Sequence, residues 1–203
     1  MTRLSGRLRA AALPALAVAL VGGVLGLQLA NGGGHYVPLR PTDSCVSRPV
    51  NSVATGIDAL TEELVLVGLD DAACQLGMSR EAFTLQIAQP GARTDAQINA
   101  LRTGLITAVG TLKADGKLPK ASQLVREAVD QSDLSSFRKA AIRAIPDVLI
   151  DKTLTTDDVL RRTINDLDLR MLLGNLSDRH AMTVQVDAAV TKAVMERLAD
   201  DLH

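Results

Sequence analysis

Val53–Val67 reads VATGIDALTEELVLV, and its apolar residues recur at Val53, Ile57, Leu60, Leu64 and Val67. Spacings of four, three, four and three place these side chains on one face of a helix, with Glu62 and Glu63 on the other. Asn51 or Ser52 stands ready as the cap. A strand would need alternation with a period of two, and no such run occurs anywhere in the chain.

The same spacing continues outward. Residues 69–89 predict two short helices, the first opened by Asp70 or Asp71 and closed by Gly77, the second capped by Ser79. Thr94 with Gln97 forms a capping box for a helix carrying Ile98, Leu101, Leu105, Val109 and Leu112, stopped near Asp115–Gly116. Beyond Pro119 comes a helix with Leu124, Val125 and Val129, then one from Ser132 or Asp133 that contains Phe137, Ala141, Ile142 and Ile145 before Pro146 interrupts. Thr155 or Thr156 opens a helix with Val159, Leu160, Ile164 and Leu167, which Leu169–Leu173 continues after a kink. Ser177 caps the last, whose stripe is Val186, Val190, Val194, Leu198 and Leu202. The expectation is an all-α domain over residues 49–203, a compact bundle of about seven or eight short helices without repeats of fixed period.

Upstream, Ala10–Ala30 reads AAALPALAVALVGGVLGLQLA, with Gln28 its one polar residue. About 20 apolar residues at 1.5 Å rise span a hydrocarbon core of roughly 30 Å. Arg3, Arg7 and Arg9 precede it and no acid occurs before residue 43, so the positive-inside rule predicts residues 1–9 in the cytoplasm, residues 10–30 as a single-pass signal anchor in the cell membrane, and the rest extracytoplasmic. A cleaved signal peptide is the rival reading, although Gln28–Leu29–Ala30 makes a poor exit site. Gly22 and Gly26 form a GxxxG pair that would let two such helices pack into a homodimer. Residues 31–48, with Gly32–Gly34, Pro38 and Pro41, read as a flexible linker.

Past residue 30 the charges nearly balance, 19 Lys and Arg against 23 Asp and Glu, so no basic face for nucleic acid is implied. Aromatics are reduced to Tyr36, Phe83 and Phe137, which leaves an aliphatic core and no stacking platforms for sugars or single strands. Cys45 and Cys74 make an even count in a chain expected outside the cytoplasm, and read as one disulfide; two unrelated thiols are the alternative. Neither has the partners of a zinc site.

The stretch AACQLGMSREAFTLQI, Ala72–Ile87, resembles the helix-turn-helix of bacterial regulators. That resemblance implies a tight turn at Gly77, an inward Met78 and a recognition helix capped by Ser79. Its one basic residue, Arg80, is too few for phosphate and base contacts. More broadly, CVSRPVNSVATGIDALTEELVLVGLDDAACQLG, ARTDAQINALRTGL and AIRAIPDVLIDKTLTTDDVL resemble membrane-anchored helical proteins of actinobacteria to which no activity is assigned. The resemblance implies an address and no mechanism.

No HExxH, GxSxG or phosphate-loop pattern occurs, and His35, His180 and His203 lack a nucleophile nearby. Asp157 and Asp158 suit the positive end of a helix, and Asp166 and Asp168 lack a calcium-loop pattern. Catalytic, metal-binding and cofactor residues are therefore not assigned. The expected role is a non-catalytic interaction or scaffolding module meeting an envelope protein partner. Other readings are an apolar-ligand or lipid-binding helical domain, an envelope hydrolase with a site assembled in space, and a regulator if the domain is cytosolic. A large apolar cavity would favour the carrier, and a filled core with an exposed apolar patch the interaction module.

Overall fold

A computed structural model describes residues 4–33, 40–50, 52–89, 91, 93–174 and 176–200; of residues 4–15 only the backbone is described. The chain divides into two compact units, residues 1–40 and 41–203. The first contains α1, Leu4–Ala30. The second contains α2 (Gly56–Gln75), α3 (Arg80–Ala88), α4 (Asp95–Ala114), α5 (Ala121–Gln131), α6 (Ser136–Arg143), α7 (Asp147–Thr153), α8 (Thr156–Asp166), α9 (Leu169–Gly174) and α10 (Arg179–Asp200). The all-α expectation is met.

The expected membrane-spanning helix is not. Among the described residues no helix is long and apolar enough to cross a membrane. The side chains of residues 10–15, and those of Arg3, Arg7 and Arg9, lie outside the described residues. A Cβ built on Gly22 or Gly26 meets nothing within 4 Å.

The second unit is organised by α2 packed along α4. Neither segment breaks where local rules would break it. Asp70 and Asp71 do not start a helix; α2 runs through them for 20 residues, correcting the expectation of a boundary near residue 69. Asp70, 7 % exposed, is held by Arg48 and by Arg80 at 3.2 Å, so its carboxylate has no need of backbone N–H groups. Gly68 does not end the helix either. It is buried where α4 crosses, and a Cβ on Gly104 would lie 2.3 Å from the Gly68 carbonyl oxygen and 2.8 Å from the Ala72 nitrogen. Glycine is required at that crossing because only it lets the two backbones approach so closely. Ala72, Ala73 and Ala108, all fully buried, continue the close contact, and Phe83, Val109 and Leu112 fill the space beside it.

α4 begins at the predicted capping box: Thr94 Oγ1 accepts from Gln97 N at 3.2 Å and Gln97 Oε1 from Thr94 N at 2.9 Å. It ends where Gly116 turns left-handed at φ +68° and Lys117 N donates to Leu112 O. The start of α2 differs from expectation. Its cap residue is Thr55, without a side-chain cap bond, and the Ile57 N–H donates to the Glu127 carboxylate of α5 at 3.0 Å. Other ends are closed the same way from a distance. Ser122 N at the head of α5 donates to Asp151 Oδ1 at 2.8 Å. The Arg102 guanidinium of α4 donates to the carbonyls of Ile164, Asn165 and Leu167 at the tail of α8. Arg126 donates to those of Ile142 and Ile145 beyond α6.

α8 lies on α4, and α10 lies on α8. The stripe expected to bury α10, Val186, Val190, Val194 and Leu198, does not do so: Val186 and Val190 are 38 % exposed and Leu198 37 %, while Leu202 lies outside the described residues. The buried residues are Ala189 and Ala193, whose small side chains bring the helix close to α8. Asp178, not Ser177, caps it, accepting from Ala181 N at 2.9 Å.

Candidate functional site

Two places in the second unit join chemistry-bearing residues that are far apart in the chain. The first is the corner where residues 43–48 meet the end of α2. Cys45 and Cys74 are disulfide-bonded across 29 residues, with Cα atoms 4.9 Å apart. Ser44 Oγ donates to Met78 O at 2.6 Å, and Arg48 bridges Asp70 and Glu81, the latter at 3.1 Å. The hydrogen bond to Asp70 raises the Arg48 pKa further above its ordinary range. Glu81 is held below the usual carboxylate range by its own backbone N–H and by Arg48. Asp71 moves the other way: burial, then the neighbouring charge of Asp70, push its pKa up.

This corner contains the helix-turn-helix-like stretch. Gly77 takes φ +65°, Met78 packs against the core and Ser79 Oγ accepts from Ala82 N at 3.2 Å. These are the local roles the sequence implied. Arg80, however, is tied to Asp70 on the inner side, so the chemistry of the corner is structural: it braces the chain entering the unit against α2 and α3.

The second place is the outer face of α6 and α7. The helix expected from Ser132 or Asp133 begins instead at Ser136, and α6 has no buried residue. Of Phe137, Ala141, Ile142 and Ile145, Ile142 alone is half-buried; Phe137 is 81 % exposed and Ile145 42 %. At 100° per residue, Phe137, Ala140, Ala141 and Ala144 share one side of the helix, and all four are exposed. On α7, Val148 is 79 % exposed and Leu149 55 %, while Ile150 is buried. The physical cause is visible in Arg126, which holds the α6 tail and reaches Asp147 at 2.6 Å. With its end fixed by that guanidinium, α6 is seated by polar bonds and turns its apolar side outward.

Elsewhere the charges are paired, between helices or, for Asp158 and Arg162, along α8. Asp157 lies 2.6 Å from Lys113, Asp158 2.9 Å from Arg162, and Asp166 2.7 Å from Lys192. Asp168 caps α9, accepting from Met171 N at 3.0 Å. Among the described residues no three His, Cys, Asp or Glu side chains converge in a group able to hold a metal ion. A groove of about 490 Å³ runs between α2 and α5, lined by Leu60, Leu124, Glu63, Lys117 and Glu127. It is open and partly charged, with Lys117 3.6 Å from Glu63, and His180 is not among its lining residues. Compared with known proteins, the chain matches no family, no curated protein and no solved structure.

Proposed function

We propose that the unit spanning residues 41–203 is a non-catalytic interaction module working in an oxidising compartment outside the cytoplasm, and that it docks a protein partner through the outer face of α6 and α7. The observation that carries this is Phe137. The chain has two phenylalanines; Phe83 is fully buried, whereas Phe137 stands 81 % exposed, as do Val148 at 79 % and Leu149 at 55 % on the next helix. Exposed aromatic and aliphatic side chains of this kind are what partner-binding surfaces present as anchors. The Cys45–Cys74 bond supports the compartment, since structural disulfides persist where thiols are not kept reduced.

Two measurements test this. In intact cells, a membrane-impermeant maleimide should label Cys45 and Cys74 only after reduction; labelling without reductant, and only after permeabilisation, would overturn the compartment. For the surface, a photoreactive phenylalanine analogue at position 137 of the full chain should give one discrete protein adduct, abolished by Val148→Asp. The same analogue at Val53, which is fully exposed, serves as control. Equal adducts from positions 53 and 137 would sink the proposal. Phe137→Ser should leave stability within about 0.5 kcal/mol, because the ring is outside the core.

A further inference from the structure

α10 has a second face that, among the described residues of its unit, stays exposed. Ala181, Val184, Ala188, Thr191, Met195 and Leu198 follow spacings of three and four over 18 residues, and all are exposed, Val184 at 54 % and Met195 at 62 %. This stripe lies about 140° around the helix from Ala189, the residue seated against α8. Spacing of this kind defines the a and d positions of a heptad: Ala181, Ala188 and Met195 at a, Val184, Thr191 and Leu198 at d. The register places Asp187 at g and Lys192 at e. In a parallel two-stranded coil, g of one helix meets e of its partner five residues further on, and Asp187 and Lys192 are five residues apart.

We propose that the occupant of this face is a second copy of the chain, and that α10 pairs with α10 in parallel, Asp187 of each copy facing Lys192 of the other. Charge complementarity selects both the occupant and the direction. An antiparallel pair sets g against g and e against e, which would oppose the two residues to groups of no opposite charge. Within one copy Asp187 forms no ion pair among the described residues. Lys192 reaches Asp166 at 2.7 Å and Glu196 at 3.7 Å, yet its side chain is 58 % exposed, and an ammonium has three protons to share. The ion pairs joining α10 to α8, Arg162 with Asp200 and Arg197 with Asp158, lie on the inner side and leave the stripe clear.

The test is zero-length carbodiimide coupling on the full chain, mixed from ¹⁵N-labelled and unlabelled protein, followed by peptide mapping. The expected product is an amide joining Asp187 of one isotope to Lys192 of the other. A single copy cannot form it, because the two side chains lie on opposite flanks of the stripe. Met195→Glu keeps both reacting groups but places charge in an apolar layer, and should lower the mixed-isotope product by at least about tenfold. Asp187→Lys alone and Lys192→Asp alone should each abolish it, while the double exchange should restore it with the roles reversed. Helicity by circular dichroism should stay at the parent level in every variant, since the substituted side chains are exposed. Absence of the mixed-isotope product in the parent chain, equal yield from Met195→Glu, or failure of the double exchange to restore it would each overturn the pairing.

Discussion

Gly104→Ala adds one methyl group at the crossing of α2 and α4, and its cost can be worked from the geometry. The new Cβ would stand 2.3 Å from the Gly68 carbonyl oxygen and 2.8 Å from the Ala72 nitrogen, where ordinary contact begins at 3.4 Å. Both neighbours are backbone, so no rotamer relieves the clash, and the helices must part locally by about 1 Å. A gap of that size forfeits a quarter to a half of the dispersion energy of the facing atoms. Overpacking of this kind costs about 1–3 kcal/mol and at a backbone crossing belongs at the top of that range, whereas alanine in a helix interior gains about 1 kcal/mol over glycine. The net expectation is a loss of about 2 kcal/mol, or roughly 4–8 °C in Tm for a unit of this size. Gly110→Ala supplies the control, because its Cβ would meet only the flexible end of Arg161 at 3.1 Å. It should gain up to about 1 kcal/mol. Gly68→Ala belongs between them, facing Leu105 Cδ2 at 2.7 Å and Leu105 Cα at 3.1 Å. Urea unfolding of the oxidised chain, followed by far-ultraviolet circular dichroism, measures all three. A Gly104→Ala midpoint equal to or above that of Gly110→Ala would refute the close crossing.

Replacing Cys45 and Cys74 by serine opens a loop closed across 29 residues and should cost about 3–4 kcal/mol in the chain-entropy model. The same loss should follow reductant on the parent chain, and an unchanged urea midpoint there would count against the brace. Glu127→Ala removes the acceptor of the Ile57 N–H and should destabilise by about 1 kcal/mol. Its signature is faster amide exchange in the first turn of α2, and exchange spread evenly over the unit would argue for a different role. Asp71→Asn tests the raised carboxyl. A group whose pKa is raised by folding opposes folding when charged, and that opposition fades as pH falls through the folded value. The variant should therefore be more stable than the parent at pH 7, with the difference closing as the medium is acidified; a difference that widens in acid would contradict the assignment.

How much of this fold the sequence disclosed depends on whether the deciding interaction was local. The Thr94–Gln97 box, the Gly77–Met78–Ser79 turn and the stop at Gly116 involve residues within five positions of one another, and all stand where the pattern put them. The cysteine pair was legible from count and context. The boundary near Asp70 failed because a local rule makes aspartate a cap, while Arg48 and Arg80 satisfy that carboxylate from elsewhere. Gly68 costs about 1 kcal/mol within a helix, and the close approach of α4 outweighs that. For α10 periodicity identified an apolar stripe, but the residues that seat the helix are Ala189 and Ala193. Spacing says which side chains lie together; it does not say what they face.

The exposed apolar faces share a cause with the remote caps. α6 has 8 residues and α5 and α8 have 11 each, too short for helices of this composition to persist alone in water. Their orphan backbone groups are met by Asp151, Arg102 and Arg126, each reaching across from another helix. Charged side chains that a helical wheel assigns to solvent are therefore drawn inward at the helix ends. Once those ends are fixed, the core needs fewer apolar side chains from the short elements, and alanines suffice where α10 meets α8. Phe137, Val148 and Met195 are thus not required for packing within the unit. In a chain with three aromatic residues, one of which stands in open solvent, the proposed docking role rests on that surplus.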